Sequence, residues 1–355
     1  MPEEKCLMKG NEAIGEAALR AGCQAYFGYP ITPQSELTAY MAQGMLDRKR
    51  TFIQAESETA AIIMVYGAAA TGARAMTSSS SPGISLKQEG MSYACGADIP
   101  LVIVNVARSS PGLGGISPSQ GDYFQSTRGG GQGDYYHIVL APKSVQEAAD
   151  LTYLAFDLAD KWRMPVMVLA DGLIGQMMEG VVFPPPRDPA AFPRKTWAVG
   201  HKAELGRAFN HISSLNLDPP SFEQQIRARY ARYEEIKKTE VRFEEINVDK
   251  ADLVFVAYGT SSRVCLGALE MAKKEGIELG LFRPISLWPF PYAQIAKLAA
   301  KGKRLLSVEM SMGQMVEDVR LAANGKSEVL FYGRVGGMVP SEEEILAEAK
   351  RILGR

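Results

Sequence analysis

The chain has 355 residues, 46% hydrophobic and 22% charged, ample for two domains with sizeable cores. Lys and Arg (39) nearly balance Asp and Glu (40), so a net charge of −1 leaves no basic field to draw nucleic acid or an anionic membrane surface. No apolar run approaches the roughly 20 residues that span a bilayer, and Met1-Pro2-Glu3-Glu4-Lys5 lacks a signal-peptide layout, which predicts a cytoplasmic protein.

The four cysteines (6, 23, 95 and 265) are too far apart for a CxxC pair, a zinc knuckle or a local iron–sulfur motif, and read as free thiols. His137, His201 and His211 have no metal-binding spacing.

From residue 9 to about 172, Ala-rich helical stretches (9–21, 33–45, 58–70, 84–94, 145–161) alternate with short β-branched runs at 25–28, 51–54, 74–77, 101–106, 137–140 and 166–170. Leu101-Val102-Ile103-Val104 is apolar without alternation, as a parallel strand covered on both faces should be. The pattern predicts a doubly wound α/β domain over 1–182. Phe183-Pro184-Pro185-Pro186-Arg187-Asp188-Pro189 breaks it, and 183–245 reads as a Pro-rich linker carrying one exposed helix over 221–238. Basic residues there interleave with Glu223, Glu234 and Glu235, which argues for a solvated face over a nucleic-acid site. Alternation resumes over 246–355, a second and smaller α/β domain closed by a helix whose Ser341-Glu342-Glu343-Glu344 start has capping-box spacing.

There is no G-x-G-x-x-G at the first βα turn, no P-loop and no G-x-S-x-G elbow. Attention therefore falls on the loops that leave the carboxyl ends of the strands. In Gly28-Tyr29-Pro30-Ile31-Thr32-Pro33, Thr32 before a proline has the chemistry of a helix cap, and the same terminus could receive a carboxylate. In Gln54-Ala55-Glu56-Ser57-Glu58, two acids flank a serine at a strand-to-helix junction. The helix that follows, 60–70, looks fully buried and would hold a carboxylate in apolar surroundings. Arg108, just past the buried 101–106 strand, is either a surface arginine or a bidentate partner for a ligand carboxylate.

Several separated motifs follow one familiar order: Tyr29-Pro30-Ile31-Thr32-Pro33, Glu56-Ser57-Glu58-Thr59-Ala60-Ala61, Ser80-Ser81-Pro82-Gly83, Pro118-Ser119-Gln120-Gly121-Asp122, Ala257-Tyr258-Gly259-Thr260 and Val308-Glu309-Met310-Ser311-Met312-Gly313-Gln314. Over nearly its whole length the chain resembles the alpha subunit of the 2-oxoacid:ferredoxin oxidoreductases, the 2-oxoisovalerate type first and the 2-oxoglutarate type next. The resemblance implies a thiamine-diphosphate pyrimidine-binding domain followed by a transketolase C-terminal-like domain. It implies oxidative decarboxylation of a 2-oxo acid with coenzyme A, electrons leaving to ferredoxin; a non-catalytic interaction subunit is the alternative. A beta subunit would hold the diphosphate and Mg²⁺. Iron–sulfur clusters would lie in partner subunits, with separate gamma and ferredoxin-like delta subunits. By the same resemblance Glu58, with Glu56 as alternative, hydrogen-bonds N1′ of the aminopyrimidine and promotes its imino form. Thr32 and Arg108 then meet the substrate, and Pro30 and Ile31 line the cofactor. The loop after Arg108 (Ser109-Ser110-Pro111-Gly112-Leu113-Gly114) departs from the commoner form.

Overall fold

A computed structural model describes residues 5–200 and 209–355; His201 and the first four residues lie outside the described residues. The first domain is built on a seven-stranded sheet in the order β12-β6-β7-β5-β4-β2-β3. Its strands are β2 (Ala25–Gly28), β3 (Thr51–Gln54), β4 (Ala75–Ser79), β5 (Leu101–Ala107), β6 (Ile138–Leu140), β7 (Pro165–Asp171) and β12 (Ser286–Trp288). All run parallel except β12, which joins β6 antiparallel. The crossovers divide the helices between two layers. In one, α1 (Gly10–Arg20) packs on α2 (Ser35–Asp47) and α6 (Val145–Trp162); in the other, α3 (Glu58–Ala70) packs on α4 (Ser81–Gly96). Every residue of β5 and β7 is buried, which explains why their sequence is apolar apart from Asn105 and Asp171.

Three short pieces complete this half: α5 (Tyr123–Arg128), α7 (Gly172–Gln176) and an antiparallel ribbon of β1 (Cys6–Lys9) with β8 (Met178–Val181). Of the thiols, only that of Cys6 is exposed. Burial pushes the Cys23 thiol up to about 12 and those of Cys95 and Cys265 higher still. Among the described residues, no helix is long and apolar enough to cross a membrane, and no cluster of His, Cys, Asp and Glu could hold a metal ion.

The segment after β8 differs from an open linker. Phe192 lies 4.2 Å from the Arg74 guanidinium, and the Val199 amide donates to the Ala70 carbonyl at 2.9 Å. Helix α8 (Pro219–Thr239) is mostly exposed but anchors through Arg229, Tyr233 and Ile236. Arg229 and Arg232 both pair with Asp98, so these basic side chains serve the docking of the helix.

The second sheet has the order β14-β13-β10-β11-β9. Strands β10 (Leu253–Val256), β11 (Leu279–Pro284), β13 (Arg304–Glu309) and β14 (Val329–Gly333) are parallel, and β9 (Phe243–Ile246) closes the edge antiparallel. Helices α9 (Gly259–Lys274) and α12 (Glu342–Leu353) pack together, as do α10 (Tyr292–Ala300) and α11 (Met315–Ala323). Alternate residues of β10 serve two cores. Leu253 and Phe255 enter the domain's own cluster, while Val254 and Val256 join the core shared with the first domain.

The domain joint is polar at its centre. Gln120, buried, donates its backbone N–H to the Met310 carbonyl (2.9 Å) and its Nε2 to the Tyr258 carbonyl (2.8 Å). Its Oε1 accepts from the Met310 amide (2.9 Å) and the Ser261 hydroxyl (2.7 Å). Nearby, the Arg283 guanidinium is held bidentately by Glu147 (2.7 and 2.8 Å) and by Glu244 (2.7 Å). Gln120→Leu would leave the Met310 amide and the Ser261 hydroxyl buried without partners. It is expected to cost about 2–4 kcal/mol, read as a lower denaturant midpoint with an unchanged slope.

Candidate active site

The carboxyl ends of β2, β3, β4 and β5 converge on one edge of the first sheet, and their loops build the site. At the end of β4 five consecutive hydroxylated residues, Thr77 to Ser81, are buried. Ser78 Oγ donates to Gln34 Oε1 (2.6 Å) and meets the Tyr26 hydroxyl (2.6 Å); Thr38 Oγ1 donates to the same Gln34 oxygen (3.1 Å). This network anchors the 29–34 loop. Burial raises the Tyr26 phenol, so it stays a neutral donor or acceptor there.

That anchoring corrects one expectation. Thr32 does not cap α2, which begins at Ser35 after Gln34. A turn closed by the Gln34 amide on the Ile31 carbonyl (3.1 Å) comes first, because the buried Gln34 side chain is committed to Ser78 and Thr38. Thr32 and Pro30 are exposed and Ile31 is half-buried, so all three stand at the mouth of the loop cluster.

The two candidate acids separate by environment. Glu56 is exposed. Glu58, the first residue of α3, is 5% exposed, while Ser57 Oγ caps the helix by accepting from the Ala60 amide at 3.1 Å. The Glu58 carboxylate accepts no hydrogen bond from the described residues. It lies against Gly83: a Cβ there would fall 2.5 Å from Glu58 Oε1 and 2.1 Å from Ser79 Oγ. The buried hydroxyls of Ser79 and Ser80 have no partner either. An acceptor and the Ser79 hydroxyl left open against Gly83 fit a heteroaromatic ring with hydrogen-bonding edges.

Helix α3 is not fully buried as its sequence suggests. Ile62 and Val65 face the core, but Ile63, Met64 and Gly67 are exposed. The helix is apolar all round, yet the chain covers only one side of it.

Arg108 is buried, not a surface arginine. Its Nη1 donates to the Thr32 carbonyl (2.9 Å) and its Nη2 to the Leu113 carbonyl (3.1 Å), while Nε is buried without a partner. The guanidinium thus joins the two loops expected to meet the substrate. Behind it, the Arg108 amide donates to Ser81 Oγ (3.0 Å), which donates to Asp122 Oδ2 (2.7 Å); Asn105 Nδ2 reaches the same oxygen (2.8 Å). Burial raises the Asp122 carboxyl, and these two donors work against the rise.

Two family models account for 16–345. One, described as pyruvate flavodoxin/ferredoxin oxidoreductase, thiamine-diphosphate-binding, matches 16–250; the other, pyruvate:ferredoxin oxidoreductase core domain II, matches 251–345. The chain belongs to the 2-oxoacid:ferredoxin oxidoreductase family. Within that family it is 50% identical over 351 residues to the ketoisovalerate oxidoreductase subunit VorB of Methanothermobacter thermautotrophicus, 98% of each chain being covered. It is 34% identical to the 2-oxoglutarate synthase subunit KorA of Methanothermobacter marburgensis, with 97% of this chain and 98% of that one covered. Among solved structures it matches the 2-oxoglutarate:ferredoxin oxidoreductase from Magnetococcus marinus with 2-oxoglutarate, coenzyme A and succinyl-CoA bound. The TM-score is 0.86 at 26% identity, and the match covers 99% of this chain but 65% of that one. A split-gene transketolase (inactive beta4 tetramer), at TM-score 0.60 and 12% identity over 98% of both chains, shares the fold alone.

The sequence of this family member gave no sign of Gly83 as a wall of the Glu58 cradle; only the register of α4 against α3 brings the two together. Gly83→Ala is expected to displace the Glu58 carboxylate and weaken thiamine diphosphate binding at least about tenfold. Its stability cost is expected to be only about 1–3 kcal/mol, and calorimetric titration alongside thermal unfolding separates the two effects.

Proposed function

We propose that this chain is the pyrimidine-binding subunit of a thiamine-diphosphate-dependent oxidoreductase. In this reading the enzyme converts a 2-oxo acid, 2-oxoisovalerate before 2-oxoglutarate, with coenzyme A to acyl-CoA, CO₂ and reduced ferredoxin. The observation that carries the reading is Glu58: a buried carboxylate with no donor of its own, facing a cradle walled by Gly83. Opposite N1′ of an aminopyrimidine it would take part in a hydrogen bond that draws the ring toward its imino form. Ser79 would meet the ring's remaining polar edge, and Pro30 and Ile31 would close over it. Bound there, the cofactor supplies the nucleophilic carbon and the electron sink for loss of CO₂.

Arg108 holds the loop bearing Thr32 through the Thr32 carbonyl and keeps Nε for an incoming carboxylate, with the exposed Thr32 hydroxyl beside the 2-oxo group. The substrate preference rests on the 50% identity to a ketoisovalerate oxidoreductase subunit against 34–37% to 2-oxoglutarate synthase subunits. Partner chains are part of the proposal. The uncovered apolar side of α3 carries Ile63 and Met64, on the helix whose first residue is Glu58, so a beta subunit bringing the diphosphate and Mg²⁺ would bury that face and close the site together. Iron–sulfur clusters are assigned to gamma and delta partners, and the complex to the cytoplasm.

The test is coenzyme A-dependent reduction of a low-potential dye by the anaerobic complex, with 2-oxoisovalerate, 2-oxoglutarate, pyruvate and indolepyruvate in parallel. The expected outcome is the highest kcat/KM for 2-oxoisovalerate. Reduction by none of the four, with thiamine diphosphate and clusters present, would overturn the ferredoxin-linked reading. Glu58→Ala should cost about 10²–10⁴-fold in kcat, and Glu56→Ala no more than a few-fold. Near wild-type turnover by Glu58→Ala would point instead to a non-catalytic interaction subunit.

A further inference from the structure

Lys87 is 0% exposed and makes no ion pair within 4.0 Å among the described residues. Its Nζ donates to Thr77 Oγ1 (2.5 Å) and to the Ser78 carbonyl (3.1 Å), which leaves the third N–H of an ammonium without an acceptor. A buried lysine charge is costly unless an opposite charge compensates it. The geometry supplies one candidate. Lys87 lies four residues after Gly83 on α4, so the two share a face, and helical side chains lean toward the amino terminus. Lys87 therefore leans toward the turn where Glu58 Oε1 packs on Gly83. From β4 only neutral groups, Thr77 and Ser78, touch the ammonium, and from α3 Glu58 is the one charge that acts on it.

We propose that Lys87 is the buried counter-charge of Glu58, a positioning residue that keeps the carboxylate aimed into the pyrimidine cradle. This rests on the assignment of Glu58 made above. Neither group satisfies the other by a direct hydrogen bond, so the Glu58 oxygens stay open for a ligand while the field of Lys87 crosses the protein interior. Burial draws the Lys87 ammonium down to about 7, and the Glu58 charge works against that fall. The counter-charge is therefore lost just above neutrality, and with it the hold on the position of Glu58.

The first readout needs no cofactor: unfolding free energy of the full chain against pH for wild type, Glu58→Gln, Lys87→Met and the double variant. A lysine pulled down to about 7 when folded binds fewer protons than its unfolded counterpart, which titrates near 10.4. Wild-type stability should therefore rise with pH from about 7 toward 10. In Glu58→Gln the onset should move about one pH unit lower, because the compensating charge is gone. Lys87→Met should lack this rise, with or without Glu58.

Identical onsets in wild type and Glu58→Gln would overturn the proposal. Both retain Lys87, so this comparison stands even if Lys87→Met fails to fold. In the assembled complex, Lys87→Met should lower kcat about tenfold with KM for the 2-oxo acid unchanged, and should abolish an alkaline fall in kcat present in the wild type. A lysine that merely braces Thr77 and Ser78 would lower stability without moving the pH profile. Coupled onsets with a dispensable Glu58 would retain the pair and remove only the catalytic assignment. Uncoupled onsets with an essential Glu58 would remove Lys87 alone.

Discussion

The run of hydroxyls from Thr77 to Ser81 is the constraint around which this edge of the molecule is arranged. It ends an interior parallel strand, where the side chains are cut off from bulk water, and each oxygen must be satisfied by protein or kept for something else. Three are satisfied, and each one fixes a neighbour. Thr77 receives Lys87, Ser78 secures the loop of Gln34, and Ser81 links the Arg108 backbone to Asp122. The two that remain, Ser79 and Ser80, have no partner, and Ser79 lies with the unpartnered Glu58 against Gly83. The open valences are concentrated at one spot because the rest of the strand end is closed.

The same division of labour applies to charge. Where carboxylates serve structure, they are saturated. Buried Glu309 accepts from the Ser307 and Ser311 hydroxyls and from three backbone amides at the start of α11, at 2.8–3.0 Å. Buried Asp318 takes the Tyr123 and Tyr292 hydroxyls (2.6 and 2.5 Å) together with Arg128 (3.1 Å). Glu58, also buried, has none of this. Against those two its emptiness is the mark of a binding group, since a buried carboxylate that only stabilises the fold is normally filled.

Much of the fold could be read from residue pattern. The spans of β2, β3 and α3 agree residue for residue with the alternation, since Ala-rich helices and short apolar strands separated by turns leave few other solutions. The ribbon of β1 and β8 and the strand β12 were invisible, being three or four residues long and defined by distant partners. At the site, the glutamates at 56 and 58 are equivalent on paper. Their opposite exposures follow from the Ser57 cap, which turns Glu58 inward as the helix begins. Thr32 misled because its local chemistry suits a cap, whereas the long-range hold of Ser78 on Gln34 decides where the helix starts. Lys87 gave no signal at all: on sequence it is a helical lysine, and only packing reveals that it has no water around it.

Strand β12 has a consequence for how the gene could be divided. It belongs to the chain of the second domain but is hydrogen-bonded to β6, and so forms the outermost strand of the first domain's sheet. A fragment cut near residue 245 would expose β6 as a bare edge of buried-type residues, the kind of template on which unrelated chains aggregate. The other fragment would carry an unpaired apolar strand ending in Trp288. The two halves are thus sewn together, and co-expressing them as separate polypeptides would demand that they meet before either edge met anything else.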